Sequence, residues 1–175
     1  INAGTLQYGA ANALNTGGVT VNDGGTYDLN GFSDSIGALT VNSGITGGSV
    51  TTGAGILTLT GNIASTGGAA NASISGNLNF GATRTVTTTN GADGLTISAA
   101  ISGAGGLTKA GAGRLTLSGN SSYTGVTTVG AGVLNLTNTG STFAGQLTVE
   151  EGVLNVASVN NASANGVLGS SALPV

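Results

Sequence analysis

Gly113-Arg-Leu-Thr-Leu117, Gly132-Val-Leu-Asn-Leu136 and Gly152-Val-Leu-Asn-Val156 are one phrase written three times, a glycine followed closely by an apolar–polar–apolar triplet. The same phrase stands earlier as Gly55-Ile-Leu-Thr-Leu59, Gly76-Asn-Leu-Asn-Phe80 and Gly94-Leu-Thr-Ile97. Its first apolar residues are Leu57, Leu78, Leu95, Leu115, Leu134 and Leu154, at intervals of 21, 17, 20, 19 and 20. Self-similarity at a fixed period near 20 is the signature of a solenoid.

Alternation with period two puts Leu115 and Leu117 on one face and Thr116 on the other, which is strand rather than helix. Glycine costs a helix about 1 kcal/mol against alanine, and there are 34 glycines here. A second short strand precedes many of the phrases: Val19-Thr-Val21 before Tyr27, Thr127-Thr-Val129 before Leu134, Leu147-Thr-Val149 before Leu154. Between them lie turns such as Asn22-Asp-Gly-Gly25, where glycine supplies the positive φ that a corner needs. Antiparallel hairpins would reverse the chain at every strand, so identical phrases would not recur one period later. The expected fold is all-β, a right-handed parallel β-helix forming a single domain over residues 1–175. About nine rungs at roughly 4.8 Å each make a rod of roughly 43 Å. The expected inward ladder is Leu6, Tyr27, Leu57, Leu78, Leu95, Leu115, Leu134 and Leu154, with Tyr8 and Phe80 also inside. Tyr27 to Leu57 is a step of 30, so residues 31–55 are expected to hold an irregular rung or an outward loop. Residues 63–73 and 157–166, small and polar, are expected to bulge as well. Tyr123, Phe32 and Phe143 lie near loops, where exposure is expected.

Composition narrows the function. Only 5% of the residues are charged, the net charge is −3, and Arg84, Lys109 and Arg114 are the only cations. That is too little basic surface for nucleic acid or an anionic membrane. No apolar run approaches the roughly 18 residues of a membrane-spanning helix. Without histidine or cysteine, the usual Ser–His and Cys–His nucleophile pairs cannot form and thiolate metal sites are excluded.

Six acids remain: Asp23, Asp28, Asp34, Asp93, Glu150 and Glu151. Asp23 and the Glu150–Glu151 pair occupy equivalent corners about six rungs apart, on the order of 29 Å, too far for shared acid–base work. Asp23, Asp28 and Asp34 lie closer in sequence, but no base or cation joins them, and they read as turn and surface residues. Aspartate does not recur every nine residues as a calcium-binding repeat requires. No metal and no cofactor is expected. Outward positions carry Thr58 and Thr60, Thr96 and Ser98, Thr116 and Ser118, Asn135 and Thr137, an interrupted version of the threonine array of ice-binding surfaces.

The stretch from Gly106 to Leu136, which includes Gly113-Arg-Leu-Thr-Leu117 and Gly132-Val-Leu-Asn-Leu136, resembles the autotransporter-associated β-strand repeat. Residues 1–8 are similar to the end of such a repeat and residues 19–34 to the rung that follows. Arg114 stands where the family more often has a small polar residue. The resemblance implies a β-helical passenger region, secretion, display on a bacterial surface, and a structural or adhesive task. It implies no particular ligand. Joining the ends in thought, Leu173-Pro-Val175 before Ile1-Asn-Ala-Gly-Thr-Leu6 repeats the spacing of Val19 to Tyr27. This suggests head-to-tail continuation through Ile1, Leu173 and Val175, with the chain itself as partner, end to end and side to side.

The expected function is therefore a stiff rod or filament segment of a secreted cell-surface protein, a non-enzymatic spacer or biofilm fibre block. Three alternatives stand beside it: an adhesin for host or matrix glycans or a host receptor, an ice binder using the outward hydroxyls, and a polysaccharide-degrading enzyme.

Overall fold

Alternating short strands and glycine corners close into coils that stack on one another. In a computed structural model, residues 1–14, 16–89, 94–142 and 144–157 are described. The first turn holds β1 (Gly4–Gln7) and β2 (Val19–Val21). The second holds β3 (Gly25–Asp28), β4 (Asp34–Ile36) and β5 (Leu39–Val41), and the third β6 (Ser49–Leu59) and β7 (Ile63–Ser65). Next come β8 (Ala72–Phe80) and β9 (Arg84–Thr88), then β10 (Gly94–Ile97), β11 (Ala100–Ser102) and β12 (Leu107–Ala110). The sixth and seventh turns are β13 (Arg114–Leu117) with β14 (Thr127–Val129), and β15 (Val133–Leu136) with β16 (Leu147–Val149). β17 (Val153–Val156) opens another coil. No helix occurs among the described residues.

Two sheets run the length of the coil. One is ordered β1-β3-β6-β8-β10-β13-β15-β17, with β4 added on β6 and β11 on β8; the other is β16-β14-β12-β9-β7-β5-β2. Every named strand pairs in parallel with the equivalent strand of the next turn, as Leu115 does with Leu134 and Val129 with Val149. The fold is thus a parallel β-solenoid, as expected, with about seven turns among the described residues against the nine expected over the whole chain. Part of the difference is turn length, since Tyr27 pairs with Val50, Val50 with Ile74 and Ile74 with Ile97, steps of 23 or 24 residues rather than 20; the rest is that the nine span residues 1–175, whereas the described residues end at Ala157.

That register also narrows the irregular rung expected over 31–55. The residue opposite Tyr27 is Val50, not Leu57; the stretch 31–55 contains β4 and β5, and its irregularity is local, at the isolated bridges of Ser43 and Gly44 and at the register shift between Thr51 and Ile56. Of the bulge expected over 63–73, residues 63–65 are strand β7; the excursion follows it, where Gly67 and Ala70 bridge back to Ser43 and Gly44 of the turn before. The bulge expected over 157–166 lies, beyond Ala157, outside the described residues.

The interior is a stack of apolar columns rather than one ladder. Tyr27, Val50, Ile74, Ile97, Leu117 and Leu136 succeed one another in register on consecutive turns. Two residues earlier on each strand, Ala72, Leu95, Leu115, Leu134 and Leu154 form a second column. Leu57, Leu78 and Ile101 form a third, beyond the bend of the long strands β6 and β8. The expected single ladder therefore joins residues of three columns: Leu6 and Tyr27 belong to the first, Leu57 and Leu78 to the third, and the rest to the second. The interval of 17 between Leu78 and Leu95 marks one of the changes of column.

Tyr27, Leu57, Leu78, Leu95, Leu115 and Leu134 are all buried, and Leu154 is half-buried. Leu6, expected inside, is 38% exposed, because β1 pairs with β3 on one side only. Each fully buried large aliphatic side chain contributes about 1.5–3 kcal/mol relative to exposure, and none of these turns buries its own without a neighbour.

The phrase glycines are required by the stacking. Gly132 sits at φ 68°, and a Cβ there would lie 2.4 Å from the Gly111 carbonyl oxygen. A side chain is excluded by conformation and by space together.

Candidate functional site

Outward positions of the first sheet form two columns of small polar residues. Thr5, Thr26, Ser49, Ser73, Thr96, Thr116, Asn135 and Asn155 follow one another in register. Beside them run Gln7, Asp28, Thr51 and Ser75. These side chains bond along the column: Asn155 Nδ2 donates to Asn135 Oδ1 at 2.9 Å and Gln7 Nε2 to Asp28 Oδ2 at 2.8 Å. A corner repeats the device. Asn42 Nδ2 donates to Asn22 Oδ1 and Asn22 Nδ2 to Asn2 Oδ1, both at 2.8 Å.

Beyond the bend, the outward face carries an open groove of about 410 Å³. Its floor is the register column of Ser35, Thr58 and Asn79 on β4, β6 and β8. Asn12, Ser33 and Ile56 form its flank. The loop before β4 is shaped by Asn30 in the left-handed region at φ 51° and by the Phe32 N–H donating to the Leu29 carbonyl. It is held to its neighbours by Asn12 N–H on the Ser33 carbonyl and Ile56 N–H on Ser33 Oγ, each 3.0 Å. Gly55 lets the third turn pass under this loop, since a Cβ there would lie 2.0 Å from the Phe32 carbonyl oxygen. The hydroxyls of Ser35 and Thr58 and the amide of Asn12 have no protein partner among the described residues.

Asp34 completes the lining and is 4% exposed. It occupies an inward position, opposite Leu57. Its carboxylate accepts from the Tyr8 hydroxyl, from Leu14 N–H at 3.2 Å and from Ser35 N–H at 2.7 Å. The Tyr8 proton goes to Asp34, so the Tyr27 hydroxyl donates to Tyr8 in turn. The two rings meet edge to face with centroids 5.5 Å apart. Burial, and then the adjoining carboxylate, push the Tyr8 hydroxyl far above the ordinary tyrosine range; burial raises Tyr27 too. Both phenols therefore remain donors, and a buried carboxylate is compensated by hydrogen bonds instead of a cation.

The three neighbouring aspartates of the sequence are thus in three separate places. Asp23 caps the turn above it: Oδ1 accepts from Thr46 N–H, Thr46 Oγ1 and Gly47 N–H, and Oδ2 from Ile45 N–H. Those backbone donors hold its pKa down at about 2. Asp28 takes Gln7 and the Asn30 N–H. Glycoside hydrolysis uses two carboxyls flanking one bond, and the groove is lined by one.

Lys109 escapes sequence reasoning. It is fully buried, in an inward column between Val86 and Val129. Its Nζ donates to the carbonyls of Ala110, Gly111 and Ala131 at 2.8, 2.7 and 3.2 Å, and burial lowers its pKa to about 8. The signal was present, because Lys109 shares the phase of Leu107. Tyr123 is also buried, not exposed, with its hydroxyl 2.6 Å from Thr127 Oγ1. Phe32 is exposed as expected, and Tyr8 and Phe80 are inside. Ile1 is seated on the next turn, its amino group 2.7 Å from the Thr20 carbonyl oxygen. Leu173, Val175, Asp93 and Phe143 lie outside the described residues.

Residues 107–136 and 129–156 match the family model described as the passenger-associated-transport-repeat. Comparison with curated proteins and with solved structures returns no match. The matched stretches contain β12 to β17, the region of the densest repetition, so over these turns the repeat resemblance and the solenoid agree.

Proposed function

We propose that the chain is a stiff rod segment of a secreted, surface-displayed bacterial protein, acting as a spacer or fibre block and not as an enzyme. The observation that carries this reading is the continuous parallel pairing of both sheets from turn to turn through about seven turns around apolar columns. Such a coil resists bending because every turn is hydrogen-bonded to the next along its length, and its stability is a sum over neighbours. At roughly 4.8 Å per turn the seven turns extend about 34 Å. Low charge lets neighbouring rods approach, so partners of the same kind, end to end or side by side, fit this surface. An isolated carboxylate held by the Tyr8 hydroxyl and two backbone N–H groups suits structure better than acid–base turnover.

Electron microscopy of the native surface material tests the proposal. Fibres or projecting stalks labelled by an antibody to this chain are expected. Labelled material dispersed as separate globular particles would overturn it.

A further inference from the structure

We propose that the groove beside Asp34 binds a neutral saccharide of one or two rings. The inference does not rest on the rod reading, since a rod needs no ligand. Four observations lead to it. The groove is open, with about 410 Å³ of space over its floor. Its hydrogen-bonding groups are hydroxyls and amides, from Ser35, Thr58, Asn79 and Asn12, and three of them have no protein partner among the described residues. These groups both donate and accept, as vicinal sugar hydroxyls require. Apolar surface stands next to them, since Ile56 in the wall is 43% exposed. Sugars present a C–H face that such surface covers. Finally, no cation lines the groove, and its carboxylate already accepts three hydrogen bonds. A carboxylated or sulfated sugar would face Asp34 without a counter-charge.

The floor is rigid because Ser35, Thr58 and Asn79 sit on paired strands, so their spacing is that of the sheet, about 4.8 Å. An open groove with few contacts gives weak binding, in the millimolar range.

The test is saturation-transfer NMR on the whole chain with glucose, galactose, mannose, N-acetylglucosamine and their β-1,4-linked disaccharides, and with glucuronic acid as the anionic comparison. At least one neutral sugar is expected to bind with Kd below about 10 mM, with amide shifts confined to residues 12, 33–35, 56–58 and 79. The double variant Ser35→Ala/Thr58→Val should weaken it at least tenfold. Thr96→Val/Thr116→Val, the same chemistry on the first outward face, should leave it unchanged. Amide shifts in the unaltered protein keep the test decisive should the first variant fold poorly. Absence of binding by every neutral sugar, shifts centred elsewhere, undiminished binding by Ser35→Ala/Thr58→Val, or equal binding of glucuronic acid would each overturn the proposal.

Discussion

Leu78 lies opposite Ile101, and Leu95 lies opposite Ala72, six residues before Leu78 on the same strand. The four are fully or almost fully buried, at 0–1% exposure. Truncating any one of the three large side chains to alanine should cost about 2–5 kcal/mol. Leu78→Ala and Ile101→Ala open cavities that abut across one step of the ladder, about 4.8 Å. Those cavities share walls, so the double variant should depart from additivity by about 0.5–3 kcal/mol. Leu78 and Leu95 are separated by six residues of strand, roughly 20 Å along the chain before its bend. Their double variant should be additive within about 0.3–0.5 kcal/mol. Urea unfolding supplies the numbers, in sulfate buffer so that the double variants remain folded, with m required to stay constant across the set. A coupling between Leu78 and Leu95 as large as that between Leu78 and Ile101 would refute the assignment of the two leucines to separate columns.

Three further outcomes follow from the same geometry. The Lys109 amine has its pKa lowered to about 8, against roughly 10.4 unfolded. Between these values the unfolded chain binds the extra proton, so stability should rise from pH 8 to 9.5, and Lys109→Met should flatten that slope in urea midpoints. Asp23, with its pKa lowered to about 2, stabilises the fold fully above the ordinary value near 3.9 and loses that contribution as pH falls from 4 to 2. Circular dichroism of Asp23→Asn should show a shallower acid transition over this range. The outward columns of the first sheet are interrupted by Gln7, Asp28, Asn135 and Asn155, so purified protein should show no thermal hysteresis; a clear gap between melting and freezing would restore the ice-binding reading.

The solenoid was legible because its cause is local: a glycine that only a tight corner requires, then a triplet whose alternation faces a core. What could not be read was which limb of the coil each triplet occupies. Gly55-Ile-Leu-Thr-Leu59 and Gly76-Asn-Leu-Asn-Phe80 lie past the bend, whereas Gly94-Leu-Thr-Ile97 and Gly113-Arg-Leu-Thr-Leu117 lie before it. Both limbs present the same demand, a turn and then an inward pair, so one phrase serves either. On β8 the limb before the bend reads Ala72-Ser-Ile74, which carries no leading leucine to mark it. The groove was illegible for a different reason. Asn12, Ser33, Thr58 and Asn79 come from four successive turns, and neutral side chains of these types occur at most outward positions of the chain. Only the coil's register and the Asn30–Ser33 loop distinguish them.

The scarcity of charge has a physical source in this architecture. Parallel, in-register stacking sets each outward side chain above its counterpart on the next turn. Two like unit charges about 4.8 Å apart repel by roughly 0.9 kcal/mol even at the dielectric of water. A charged residue written into a repeated phrase would incur that cost at every step, with no opposite charge alongside unless the phrase alternated. Neutral residues turn the same stacking into attraction, as Asn2, Asn22 and Asn42 do by passing one amide hydrogen bond to the next. The charged residues on paired strands obey the rule. Asp28 stands between Gln7 and Thr51, Arg114 between Gly94 and Val133, Lys109 between Val86 and Val129, Asp34 beside Leu57 and Arg84 beside Leu107, and none meets a charge in register. Arg114 therefore departs from its repeat neighbours at no electrostatic cost, whereas arginine written also at Gly94 and Val133 would place three cations in one column and loosen these turns.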